Sequence, residues 1–403
     1  MIDVPPSDLA ALVRGAAWTE TTARGLRPHR LPAWVGRQLG DPQLAVMEAQ
    51  PSGVRLAFAT TATAVEVVLH PTRLAYRQVE RPRGAVDLVV DGAVLASEPL
   101  TGGDAVETDL ATGASVLLPG APQAVAFTGL PAGDKTVEVW LPHNESVEVV
   151  ALRADAPVRP AADDRRVWVH HGSSISHGSN AATPTGTWPA VAARLGGVDL
   201  RNLGLGGSAL VDPATARVIR DAPADLISVK LGINVVNLDG MRRRTFEAAV
   251  HGFLDTIRDG HPDTPLVLVT PIFCGIHEDT PGPGAFDVTE LAAGRARFVA
   301  TGGGDPSSGR LTLRVVRDAL AAVAGRRADD PHLHLLDGLS LYGPADAEQH
   351  PLPDALHPDA ATHRLIGERF AKIVFGGGPS TGAGNVAEGS ARRPSSRLRA
   401  PAP

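Results

Sequence analysis

The chain has 403 residues, 43% of them hydrophobic, which is ample for a large core and, at roughly 150 residues per domain, suggests two to three domains. Its 43 glycines and 34 prolines exceed ordinary usage without reaching a low-complexity composition, so it reads as folded and rich in turns. A formal charge of -6 offers no basic footprint for nucleic acid or an anionic membrane, and the lone Cys274 excludes an intrachain disulfide and any Cys-rich metal site. The first twenty residues carry acids and prolines where a signal peptide needs a basic start and an apolar run, and no stretch approaches 18 apolar residues. A soluble, cytoplasmic protein is therefore expected.

Residues 1–45 read as an N-terminal arm and 46–155 as an all-β unit. Within that unit AVEVVLH (64–70), AVDLVV (85–90) and KTVEVWLP (135–142) alternate with the period of strands. Asp91-Gly92 between VDLVV and AVLASE is a hairpin signal, because these residues tolerate the positive φ of a two-residue turn. Short strands at close spacing without a helical pattern predict a β-sandwich, jelly-roll-like in kind. The stretch 154–166, rich in Pro, Ala and charge, reads as a linker.

From 165 to 375 strand and helix patterns alternate. Strands are expected in VWVHHG, VDLRNLG, ADLISVKLGI (224–233), PLVLVTPI (265–272) and LHLLDG, and helices over 188–196, 245–260, about 311–325 and about 360–374. Such alternation predicts a parallel α/β sheet with helices on both faces. The long segment 275–309 is expected to line a pocket, and 376–403, with almost nothing to bury, reads as a disordered tail.

Chemistry gathers at the strand ends. VWVHH runs into GSSISHG (172–178), where a Ser projects at the carboxyl edge of a parallel sheet. A hydroxyl attacks a carbonyl only beside a base, and DALHP (354–358) supplies Asp354 and His357 three residues apart in one loop before the last helix. Oxyanion donors are available from the Gly-rich turn NLGLGG (202–207) and from Asn234 in LGINVVN (231–237). Each of these features alone is ordinary turn or cap chemistry; their sequence, each after a strand, is not.

Taken together, these blocks resemble the SGNH subgroup of the GDSL hydrolases, a family of serine esterases, lipases, carbohydrate deacetylases and some acyltransferases, over about residues 165–375. The resemblance implies a flavodoxin-like three-layer α/β sandwich, Ser174 as nucleophile with Asp354 and His357, and an oxyanion hole from the backbone N–H groups of Ser174 and Gly207 and the side chain of Asn234. Two positions depart from the family pattern: Ser173 stands where an Asp usually precedes the nucleophile, and Val235 where an Asp usually follows the third-block Asn. A GSSI-type first block behind a β-sandwich resembles a two-domain branch that includes sugar-ester esterases and polyketide-tailoring acyltransferases.

His177 and Asn237 are candidate substrate contacts. His170 and His171 are expected to serve packing, because side chains alternate across a strand. His332 and His334 share a strand face but lack a third ligand at short spacing, so no metal is expected, and no cofactor is implied. Cys274 has no neighbouring base and reads as an inert buried thiol, and Trp188 as a helix-start packing residue. The expected activity is hydrolysis of a small acyl ester, of a sugar or natural product, through an acyl-enzyme; transfer of the acyl group from an ester or thioester to an alcohol is the alternative. A carbohydrate-binding protein without catalysis is the rival from another class, and a sandwich that only covers the site or mediates association is a further one.

Overall fold

The alternating strands of the N-terminal half close into two facing sheets in the computed structural model, which describes residues 1–303 and 308–376. The tail expected over 376–403 lies, from residue 377 onward, outside the described residues. One sheet centres on the long strand Ala64–Tyr76, flanked by Glu145–Ala154 and Asp104–Thr108; the other on Lys135–Trp140, between Arg55–Thr60 and Ala85–Val90. Pairing is antiparallel apart from Ala64–Tyr76 with Asp104–Thr108, which run parallel. Val65, Val67 and Leu69 from the first sheet meet Leu56, Phe58 and Val139 from the second in one core. Period-2 alternation places those residues on the inner faces. The hairpin at Asp91-Gly92 turns as expected, with φ of 46° and 82° at the two residues.

Residues 1–45 are not an arm. Ile2–Asp3 pairs with Glu145–Ala154, Val13–Arg14 with Arg55–Thr60, and Trp18–Thr21 with Leu26–His29, which joins the first sheet. The helices Ala33–Leu39 and Pro42–Glu48 place Val35, Leu44 and Met47 in the core of the C-terminal half, where Leu31 just before them joins in. The linker is structured as well: Val158–Pro160 adds a short strand beside Arg55–Thr60. Residues 1–45 lack a clean period because they split their apolar residues between two cores.

The C-terminal half contains a parallel sheet in the order Asp199–Gly204, Val167–Gly172, Leu226–Lys230, Leu266–Val269, Leu333–Leu336. This is the 2-1-3-4-5 arrangement, in which a crevice opens at the carboxyl ends beside the first strand. Helices Trp188–Gly196 and Ala360–Val374 pack on one face around Trp168 and Trp188, both fully buried. Pro213–Asp221, Arg243–Gly260 and Leu313–Arg326 cover the other. The segment 275–309, expected as a loop, holds a small hairpin of Gly284–Phe286 with Phe298–Ala300 and the short helix Val288–Ala292 between them. Among the described residues no helix is long and apolar enough to cross a membrane.

Candidate active site

Ser174 opens the one-turn helix Ser174–His177 directly after the first parallel strand. Ser173 is the N-cap, its Oγ accepting from the Ile175 N–H, so the position where the family carries Asp is filled by a buried capping hydroxyl. Val235, the other departure, is fully buried in the core. Ser174 Oγ lies 2.9 Å from His357 Nε2, and His357 Nδ1 lies 2.7 Å from Asp354 Oδ2. Because Asp354 accepts the Nδ1–H, Nε2 is left as an acceptor for the Ser174 hydroxyl. Burial alone would raise the Asp354 pKa, but bonds from the His357 ring and from the N–H groups of Leu356 and His357 outweigh it and hold the carboxyl below its ordinary value.

Three residues around this chain make contacts that were not legible in the sequence. Asn180 Nδ2 donates to Asp354 Oδ2 at 3.1 Å from a backbone with φ 65°. The N–H of Phe298 donates to the Asp354 carbonyl at 2.8 Å, and its ring stands edge-on to His357 with centroids 5.5 Å apart. Asn202, at the head of NLGLGG, donates to Ser52 Oγ and to the Ser176 carbonyl, tying the nucleophile turn to the N-terminal half. An apolar Phe inside a polar loop was the one signal available for Phe298.

The candidate donors follow the ends of the two strands that flank the first. Gly206 sits beside the nucleophile: a Cβ there would stand 3.6 Å from Ser174 Cβ and 2.8 Å from Met47 Sδ, closer than a side chain tolerates. Gly207 follows with φ 70°. Asn234, in the helix Ile233–Asn237, accepts the Ala209 N–H at its Oδ1 (3.1 Å), which settles the orientation of the amide and turns Nδ2 the other way. Among the described residues, the Ser174 N–H, the Gly207 N–H and Asn234 Nδ2 have no acceptor within the protein.

The other candidates fall elsewhere. His177 is buried and faces away from this cluster. Its Nε2–H donates to the His143 carbonyl at 2.7 Å and its Nδ1 faces Arg30 Nη2 at 3.3 Å, so it joins the two halves of the chain and is not free to touch a substrate. Burial and the Arg30 charge keep it neutral, its pKa well below the ordinary value. Asn237 Oδ1 accepts from His277 Nε2–H at 3.1 Å, which engages it with the segment after the fourth strand. His170 bridges Ser228 and Ser176, and His171 donates Nδ1–H to the Leu203 carbonyl; both are buried. Cys274 is buried with its thiol pushed up to about 12, a poor nucleophile. Among the described residues no group of three or more His, Cys, Asp or Glu could hold a metal ion.

A serine and histidine at the carboxyl edge of a 2-1-3-4-5 sheet, behind a two-sheet unit, define an α/β domain of the serine-hydrolase kind. Residues 171–365 match the GDSL-like lipase/acylhydrolase family and residues 12–150 match the SsfX3 N-terminal domain. The chain thus carries a GDSL-like acylhydrolase domain behind an SsfX3-type N-terminal domain, and is an enzyme of the class that acts on acyl esters. Among solved structures it is similar to the salicylyl-acyltransferase SsfX3 from a tetracycline biosynthetic pathway, with 29% identity and a TM-score of 0.74 over 91% of this chain and 95% of that one. It shares its fold with a family two carbohydrate esterase from Clostridium thermocellum, at 14% identity and TM-score 0.54 over 81% of this chain and 93% of that one. A family two carbohydrate esterase from Cellvibrio japonicus is similar at 13% identity and TM-score 0.50, over 92% and 95%. No curated protein matches.

Proposed function

We propose that the protein is a serine-dependent acyl-ester enzyme that works through an acyl-Ser174 intermediate. The observation that carries this reading is the continuous chain from Ser174 Oγ to His357 and Asp354, at the end of the strand whose two neighbours lead into the Gly207 turn and the Asn234 helix. His357 Nε2 takes the Ser174 proton as Oγ bonds to the ester carbonyl carbon, and the carbonyl electron pair moves onto oxygen. The N–H groups of Ser174 and Gly207 and the amide of Asn234 receive that oxyanion, with a strong donor worth ~3–4 kcal/mol. Collapse of the adduct breaks the bond to the leaving alcohol or thiol, which departs with the proton held by His357. Water then attacks the acyl-enzyme, His357 removing its proton, to give the acid and regenerate Ser174.

A second reading replaces water by an alcohol acceptor, which makes the enzyme an acyltransferase. It is supported by likeness to SsfX3 along nearly the whole chain, N-terminal domain included. Intact mass measurement after incubation with a panel of acetyl esters and acyl thioesters tests both readings. An acyl adduct is expected on the wild type and not on Ser174→Ala, and the same variant is expected to lose fluorophosphonate labelling; undiminished labelling removes Ser174 from the reaction. Decay of the adduct in buffer marks a hydrolase, and decay only with an added sugar or polyketide alcohol marks a transferase.

A further inference from the structure

The peptide between Gly206 and Gly207 is held from the N-terminal half of the chain. Gln43 stands in the first turn of Pro42–Glu48, where Asp41 Oδ1 accepts the N–H groups of Gln43 and Leu44 at 2.8 and 3.1 Å. From there Gln43 Nε2 donates to the Gly206 carbonyl at 3.0 Å, and Ser208 Oγ approaches the same oxygen at 3.4 Å. The far end of the helix is anchored by the buried Arg30, whose guanidinium donates to the Met47 and Gln50 carbonyls on one side and to those of Asn202 and Gly204, at 2.9 and 2.6 Å, on the other. Met47 in turn lies against Gly206. Helix and oxyanion loop therefore form one braced unit, although they come from different halves of the chain.

The Gly206 carbonyl and the Gly207 N–H are the two ends of one planar trans peptide and point in opposite directions. A donor that pins the carbonyl fixes the direction of the N–H, and by polarising the peptide it strengthens that N–H as a donor. We propose that Gln43 is a positioning residue for the acyl-transfer step: through the Gly206 carbonyl it aims the Gly207 N–H at the developing oxyanion, so the N-terminal half supplies part of the catalytic geometry. The proposal rests on the acyl-enzyme reading above. Gln43 is exposed at the rim, so a residue that merely touched substrate there would act on KM, whereas a positioning residue acts on kcat.

The test compares full-length wild type with Gln43→Met, which keeps the volume without the donor, and Gln43→Glu, which turns an acceptor toward the carbonyl. Turnover of p-nitrophenyl acetate, Ki for phenylboronic acid and Tm are measured on each; the boronate forms a tetrahedral adduct with the serine and places an oxygen where the oxyanion forms. Gln43→Met is expected to lower kcat about tenfold, part of the 10²–10³ that one whole donor carries, and Gln43→Glu further, with KM within about twofold. Ki should weaken by the same factor, with Tm shifted by less than about 3 °C, because one part-buried hydrogen bond contributes little to the folding of a chain this long. An effect confined to KM, or unchanged kcat and Ki, or a kcat loss that follows Tm while Ki stays constant, overturns the role of Gln43. If the wild type itself neither turns over the ester nor reacts with a fluorophosphonate, the acyl-enzyme reading fails first, and that control separates the two.

Discussion

At the scale of residues, Asn234 and Asn180 do different work with the same side chain. Asn234 uses its oxygen on Ala209 and keeps its N–H₂ free, so Asn234→Asp preserves the anchoring bond while exchanging a donor for a carboxylate. It is expected to lower kcat by ~10²-fold or more and leave KM nearly alone; steady-state kinetics in which only KM moves would remove the amide from the oxyanion site. Asn180 acts on Asp354. Asn180→Gly keeps the positive φ accessible and removes only the bond to the carboxylate, which is worth about 1 kcal/mol, or roughly fivefold in kcat. Unchanged kcat in that variant would make the contact incidental. Ser174, Asp354 and His357, and the proposed donors Gly207 and Asn234, were singled out from strand ends and Gly-rich turns, local patterns read together with the family resemblance. Asn180, Phe298 and Gln43 could not be, since each acts through a bond to a residue more than fifty positions away. His177 misled for the converse reason: proximity to Ser174 in the chain says nothing about which way a buried ring turns.

At the scale of elements, the helix Pro42–Glu48 and the strand Asp199–Gly204 are joined by a single cation. Arg30 is buried, and burial lowers its pKa only to about 10, so it stays charged at neutral pH among backbone carbonyls. Arg30→Met keeps the aliphatic reach but leaves those carbonyls without their donor, at a cost of about 3 kcal/mol or more. Urea denaturation should show that loss, and a stability within about 0.5 kcal/mol of wild type would mean that water substitutes for the guanidinium. The main helices and the parallel strands of residues 165–375 were legible in place and order, because the helices bury one face and the strands are short apolar runs. The strands end earlier than expected, however, and Pro213–Asp221 was not foreseen. The first 45 residues were not legible, because their strands are short and their two helices turn apolar side chains toward a core built by residues far along the chain.

At the scale of the whole molecule, the two halves enclose histidines that folding keeps neutral. Burial lowers His143 to about 3 and His171 and His363 to about 4, and holds His170 and His177 well below the ordinary value. With folded values depressed, the unfolded chain binds more protons than the native one below the unfolded value of about 6.5, so stability rises with pH there. Full stability is expected above about pH 6.5, with progressive loss as pH falls toward 4. Tm measured from pH 8 to 4.5 checks this, and a flat profile between pH 7 and 5 would contradict it.

The sequence by itself determined the alternation of parallel strands and main helices over 165–375, the two-sheet unit before it, and the residue types at the carboxyl edge. These follow from period, turn chemistry and strand ends, all written within about ten residues. Only the tertiary structure decided that the N-terminal segment belongs to both halves, that His177 faces the seam and not the site, and that Gln43 bonds the Gly206 carbonyl. Gln43 and Gly206 are 163 residues apart, and Arg30 and Asn202 are 172 apart. Contacts at such separation leave no period in the sequence, because they depend on how whole elements pack and not on how neighbouring residues alternate.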